Sequence, residues 1–258
     1  MTEELLPKRG CYPFMAEPFH CDFANHLLME HLGNQLLNAA DYHSNDRGYG
    51  MNYLNQVHKT WVLSRLSIEM DRMPEAYDRY NVETWVDKVV KSFTSRNFAV
   101  TAEDGSVYGY GRSIWAMIDT QTREPADILA VKDGLVERYV DAERPCPIAQ
   151  VSRVKMSGTG KAVGSVVMKY SDIDVNGHVN SVKYIEHVLD LWDLDWYRSH
   201  RLQRLDIAYV AESHNGDTLR FYRETSEDDV YNVRVMKSEA GGEGPVEVCR
   251  CKVKFVKD

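Results

Sequence analysis

The sequence predicts an α+β chain built as two copies of one unit, each a long central helix wrapped by a curved antiparallel sheet. Three observations predict it. An apolar stripe at Leu28, Leu32, Leu36 and Ala40, widened by Leu37, marks one face of a helix. A second stripe at Val182, Ile185, Leu189 and Trp192 does the same in the other half. Each helical stretch is preceded by one strand-like run and followed by several, rich in β-branched and aromatic residues. The order repeats although the residues barely do, as expected of a duplicated unit.

In the first copy, residues 1–10 read as a polar leader and 12–21 as a strand weakened by Pro13 and Pro18. The helix spans 27–45 and stops at Arg47-Gly48-Tyr49-Gly50. Strands are predicted at 58–70, 81–90, 96–103 and 107–119, the last two joined by Asp104-Gly105-Ser106, a hairpin signal. Residues 120–160 lose the pattern, with Pro125, Pro145 and Pro147, and hold only a short helix near 133–140. The second copy has a strand at 163–170 and a helix at 179–196. Strands follow at 202–210, 218–224, 230–238 and 246–256, the last two joined by the Gly-rich turn 240–244. The expected domains are therefore 1–140 and 163–258, with 141–162 as linker. A helix stripe and one sheet face that bury each other make the hotdog arrangement. Two hotdogs in one chain supply internally the pair that single ones form by dimerising.

Composition narrows the function classes. Hydrophobic residues make up 43% of the 258, enough for a core. A net charge of −8 argues against nucleic acid or an anionic membrane as the main partner. The five cysteines (Cys11, Cys21, Cys146, Cys249, Cys251) form no CxxC and no Cys/His cluster of zinc spacing. No metal and no cofactor is expected, and a reducing cytoplasm fits best. The first ten residues lack the apolar core of a signal peptide, and no apolar run approaches the roughly 20 residues needed to cross a bilayer.

The informative stretch is 170–192. A polar run from Ser171 to Gly177 precedes the second helix and crowds Asp172, Asp174, Asn176 and His178 at its entrance. Asp and Asn before a helix are commonly caps and turn formers. The same place also offers unpaired backbone N–H groups, near His178 and Val179, to a carbonyl oxygen that becomes negative. Asp172 reads as a cap, and Lys183 and Tyr184 as helix surface or packing. In the first copy Asp22-Phe23-Ala24-Asn25-His26 echoes the arrangement and reads as a relic.

These residues resemble a known family, the acyl-acyl-carrier-protein thioesterases of plants and bacteria. Asp172 to Ile185 is similar to the family signature D-x-D-x-N-x-H-V-N-N-V-K-Y-I, with Ser181 replacing the second Asn. Thr60-Trp61-Val62-Leu63-Ser64-Arg65 and Glu83-Thr84-Trp85-Val86 resemble its T-W-V-L-S-K/R and E-T-W-V segments. The resemblance implies that Asp174, Asn176 and His178 are catalytic. It implies the same of Glu212, in Tyr209-Val210-Ala211-Glu212, 34 residues after His178. Plant members usually carry Cys after this Glu; Ser213 stands here, so no cysteine nucleophile applies at that position. The resemblance also implies an acyl-chain pocket in the first copy, where Leu32, Leu36, Trp61 and Trp85 would set chain length. The implied reaction is hydrolysis of acyl-acyl-carrier-protein to free fatty acid in fatty acid biosynthesis, with the acidic carrier protein as partner. Arg198, Arg201 and Arg204 are candidates to meet it. A coenzyme A thioesterase, a hydratase on the same fold and a non-catalytic acyl-binding module remain the alternatives, and assembly is open between monomer and homodimer.

Overall fold

The computed structural model describes residues 5–149, 154–238 and 244–257. It divides into two compact units. The first takes the chain through Ser64 and from Asp71 to about residue 150; the second takes Arg65–Met70 and the C-terminal part.

The first unit contains β1 (Gly10–Met15), α1 (Met29–Asp46), α2 (Met51–Leu54), β2 (Lys59–Met70), β3 (Arg79–Val90), β4 (Phe93–Ala102) and β5 (Val107–Asp119). Its strands run β1-β3-β4-β5, with the first residues of β2 beside β5. Register slips at Val86/Lys88 and Val100/Thr101 mark bulges. A bulge bends its strand and raises the local twist, which curves the sheet around α1. The α1 stripe is realised: Leu32, Leu36, Ala39 and Ala40 are buried, as are Val82, Phe98 and Val100 of the sheet. Full burial of each leucine contributes roughly 2 kcal/mol. Gly111 is what lets α1 approach β5. A Cβ there would stand 3.1 Å from Leu36 Cδ1 and 3.2 Å from Phe98 Cδ2.

The second unit contains β6 (Lys161–Val167), α3 (Ser181–Leu189), α4 (Leu194–Tyr197), β7 (His200–Tyr209), β8 (Thr218–Glu227), β9 (Val230–Ser238) and β10 (Val246–Lys257). Its order is β7-β10-β9-β8-β6. Residues 65–70 pair antiparallel with β7, placing Arg65 opposite Ala208 and Glu69 opposite Arg204. Here too the ladder slips, at Glu247/Cys249, Lys254/Phe255 and Thr225/Glu227. Ile185 and Val188 of α3 are fully buried, as are Leu205, Ile207, Val233, Val235 and Val253 of the sheet. No helix among the described residues is long and apolar enough to cross a membrane.

Several expectations change. The first strand ends at Met15, because Pro18 opens a 3-10 turn, Pro18–His20. The second helix is short rather than long. It starts at Ser181 and ends at Leu189, and the Asp193 side chain caps a new one by accepting the Trp196 N–H. The 133–140 stretch is a 3-10 segment, Lys132–Tyr139, interrupted at Asp133 and Gly134 by left-handed backbone. Its Val136 and Tyr139 join Tyr49, Leu54, Met117 and Ile128 in a secondary core. Nor is 141–162 a free linker. Arg144 pairs with Glu83 and stacks 4.4 Å from the Trp85 ring. The Val154 and Lys155 carbonyls accept from Arg250 and Asn232, and β6 begins at Lys161. Residues 150–153, and all of the Gly-rich turn but Gly244, lie outside the described residues.

Candidate active site

The loop before α3 is built by its own carboxylates. Asp174 Oδ1 accepts the Asn176 N–H at 2.8 Å and the His178 N–H at 3.4 Å. The Asp174 N–H reaches the His178 carbonyl at 2.8 Å, and the Gly177 N–H reaches the Asp174 carbonyl at 3.0 Å. Gly177 sits at φ +81°, a left-handed position that glycine adopts at no steric cost. Asp172 acts one layer below. Its Oδ2 accepts the Lys169 N–H at 2.7 Å, its Oδ1 lies 3.1 Å from His187 Nε2, and its carbonyl accepts the Asn180 N–H. It is buried and holds the loop together, in keeping with its reading as a cap.

This wiring turns His178 toward Glu212. The Val179 N–H donates to the Ser213 carbonyl at 2.8 Å, fastening the loop to the segment that follows β7. His178 Nε2 then stands 3.4 Å from Glu212 Oε2, with the two side chains 27% and 36% exposed. A carboxylate beside an imidazole, both reachable from solvent, can take a proton from a water and pass it on. Asn176 stands exposed at the loop tip, and its side chain joins no hydrogen bond among the described residues. The structure thus brings His178 and Glu212 together, spends Asp174 on the turn, and leaves the Asn176 amide facing outward.

The expected oxyanion donors are engaged. The Val179 N–H belongs to Ser213 and the His178 N–H points to Asp174. The helix start is closed by Asn180, whose side chain accepts the Val182 N–H at 3.1 Å and whose carbonyl accepts that of Lys183. Capping by Asn thus engages the second and third N–H groups of the helix. Lys183 pairs with Glu186 on the helix surface. Tyr184 is core, its ring edge-on to Tyr209, and burial pushes both phenols up. The Tyr209 hydroxyl donates to the Ser181 carbonyl at 2.8 Å, holding α3 on β7.

The first unit carries the same turn. The Asp22 N–H reaches the His26 carbonyl at 2.8 Å, and the Asn25 N–H reaches the Asp22 carbonyl at 3.0 Å. Asp22 Oδ1 accepts the N–H groups of Ala24 and His26, and Asn25 takes the left-handed position at φ +70°. The Leu27 N–H donates to the Pro74 carbonyl, as Val179 does to Ser213. The residue before Pro74 is Met73, and Ala24 stands where the other loop has Asn176. The loop, its aspartate and its histidine are duplicated; the facing glutamate and the Asn176 amide are not.

The predicted pocket residues part company. A cavity of about 180 Å³ in the first unit is bounded by Ala40, Ser44 and Asp41 of α1 and by Trp61, Trp115 and Arg96 from the strands. Trp61 lines it, and its Nε1 donates to the Tyr49 carbonyl. Leu32 and Leu36 are fully buried in the α1 core. Trp85 leaves the group: strand alternation turns it to the other face of β3, against Ala99, Cys146 and Ile148. Arg96 escaped sequence reasoning. Its guanidinium is buried, donating to Thr84 Oγ1 and Ser44 Oγ. Of the candidate docking arginines, Arg198 is exposed and pairs with Asp195. Arg204 is bound to Asp206 and Glu69, which hold its guanidinium above its usual range.

Comparison with known proteins adds independent information. Models of the acyl-ACP thioesterase N-terminal and C-terminal domains match residues 14–139 and 160–255. An acyl-ACP thioesterase from Bacteroides thetaiotaomicron is 47% identical over 96% of this chain and 98% of its own, with a TM-score of 0.88. A 12:0-ACP thioesterase from Umbellularia californica shares the fold at 20% identity, with a TM-score of 0.82 over 99% of this chain and all of its own. A chloroplastic palmitoyl-acyl carrier protein thioesterase from Gossypium hirsutum is 30% identical over 67% of this chain. The match spans 43% of that curated relative's length.

Proposed function

Because the chain belongs to the acyl-ACP thioesterase family, we propose that it hydrolyses the thioester of acyl-acyl-carrier-protein and releases free fatty acid in fatty acid biosynthesis. The observation that carries this reading is His178 Nε2 standing 3.4 Å from Glu212 Oε2 at the mouth of a carboxylate-built loop. Glu212 and His178, in contact with each other, together face the attacking water. As the water oxygen attacks the thioester carbon, its proton passes to this pair. The C–S bond then breaks, its electrons stay on sulfur, and the same pair returns the proton to the departing thiolate. The outward Asn176 amide donates to the carbonyl oxygen as charge gathers there. Asp174 keeps the loop in shape and is a catalytic residue only in that indirect sense. The Trp61 cavity is the receptacle for the acyl chain. A cytoplasmic setting belongs to the same reading, since all five cysteines are free thiols.

The test is hydrolysis of acyl-acyl-carrier-protein by purified wild type and Glu212→Gln, with coenzyme A esters in parallel. Loss of a positioned general base lowers the rate by about 10²–10⁴. Stability should change by less than about 1 kcal/mol, because the pair is partly exposed. A folded Glu212→Gln protein that turns over within threefold of wild type removes Glu212 from the mechanism. Preference for coenzyme A esters would move the partner.

A further inference from the structure

His214 lies two residues beyond Glu212 and has no part in the mechanism above. Its ring meets the His178 ring edge to face, with centroids 5.1 Å and planes 77° apart. The residue is exposed, yet its backbone is held firmly. The His214 N–H donates to Asp217 Oδ2 at 2.9 Å, and the Asp217 N–H returns to the His214 carbonyl at 3.2 Å. Asp217 is buried, with Lys237 Nζ 3.8 Å away. One residue earlier, the Ser213 carbonyl receives the Val179 N–H from the His178 loop. Both imidazoles therefore ride on backbones tied to each other.

The His178 ring has need of such a neighbour. The Asp174 turn fixes its backbone and leaves the torsion about the ring free. Its polar contact is with Glu212, and 3.4 Å is long for a hydrogen bond that must set a ring plane. An edge-to-face contact supplies what that contact lacks, because it has one favoured plane orientation.

We infer that His214 is a positioning residue: its ring fixes the plane of the His178 imidazole so that Nε2 stays turned to Glu212. The inference rests on the hydrolytic reading of the site. Steady-state kinetics on acyl-acyl-carrier-protein with His214→Ala and His214→Phe test it, together with NMR of the His178 ring protons. The alanine variant should lower kcat about 3–10-fold with KM within about twofold, the kinetic equivalent of one aromatic contact. Phenylalanine restores a ring without a nitrogen and should bring kcat back to within about twofold. Ring-current shifts of the His178 protons should persist in the phenylalanine variant and vanish in the alanine one. Unchanged kcat in His214→Ala, an effect confined to KM, or a phenylalanine variant no better than alanine overturns the inference. The NMR arm does not require turnover. A wild type that hydrolyses no acyl-acyl-carrier-protein defeats the functional reading, whereas His178 resonances indifferent to His214→Ala defeat the positioning role.

Discussion

His43 makes the first unit sensitive to acid. It is fully buried on α1, its Nε2 donating to the Lys8 carbonyl at 2.9 Å and its Nδ1 accepting from the Tyr49 hydroxyl at 3.1 Å. Burial first, then the nearby Arg96 and Arg47 cations, hold its pKa down to about 2, against 6.5 for a free imidazole. The unfolded chain therefore binds a proton below pH 6.5 that the folded chain refuses until about pH 2. Stability from this group is fully present above pH 6.5 and drains away as the pH falls, at about 1.4 kcal/mol per unit. Going from pH 7 to pH 5 costs about 2 kcal/mol from this one side chain. For a chain of this size that is a fall of about 4–8 °C in Tm. His43→Gln keeps an amide donor and an acceptor in the same place and cannot be protonated. Urea unfolding of both proteins at pH 7 and pH 5 should show the wild type losing about 2 kcal/mol more than the variant. Equal losses would show that His43 does not exclude its proton, and the account of its burial would be wrong.

Two other perturbations separate roles that the geometry assigns. Asp174→Asn preserves the side-chain oxygen that accepts two backbone amides, whereas Asp174→Ala removes it. The alanine variant should lose about 1–2 kcal/mol of stability by urea denaturation, with the asparagine one near wild type in stability and within about tenfold in kcat. An asparagine variant as inactive as Glu212→Gln would restore Asp174 to direct chemistry. Ala40→Leu pushes a larger side chain into the Trp61 cavity. Fatty acids released in a bacterial host should shift toward chains about two carbons shorter, by gas chromatography. An unchanged profile would exclude this cavity as the chain receptacle.

How far the sequence could be read depends on the kind of interaction involved. The α1 stripe and the long strands were legible because burial imposes a period, and Leu32, Leu36, Val82 and Val100 obey it. The pairing of His178 with Glu212 was legible only through resemblance. Thirty-four residues separate them, and the contact depends on the Val179 to Ser213 hydrogen bond, which no local pattern announces. The length of the second helix was overread because the stripe runs on to Trp192 while Asp193 starts a new cap. Stripes report burial, and caps decide where the backbone stops. Trp85 is expected at the pocket through the resemblance, and no local pattern says that it packs instead with Ala99, Cys146 and Ile148. Arg96 and His214 gave no signal at all. A buried cation among hydroxyls and a ring beside another ring become visible only when distant strands and loops are brought together.

The twin turns at Asp22 and Asp174 also bear on how such a protein changes over time. Their main-chain wiring is the same and both keep the aspartate and the histidine, but where one carries an amide and a facing glutamate the other has Ala24 and Met73. A bend that forms equally well with or without reactive groups is a mount, and its cargo can be exchanged without refolding what lies beneath. The chain carries two such mounts, and of the groups proposed to react at the second, Asn176, His178 and Glu212, the first matches only the histidine, as His26.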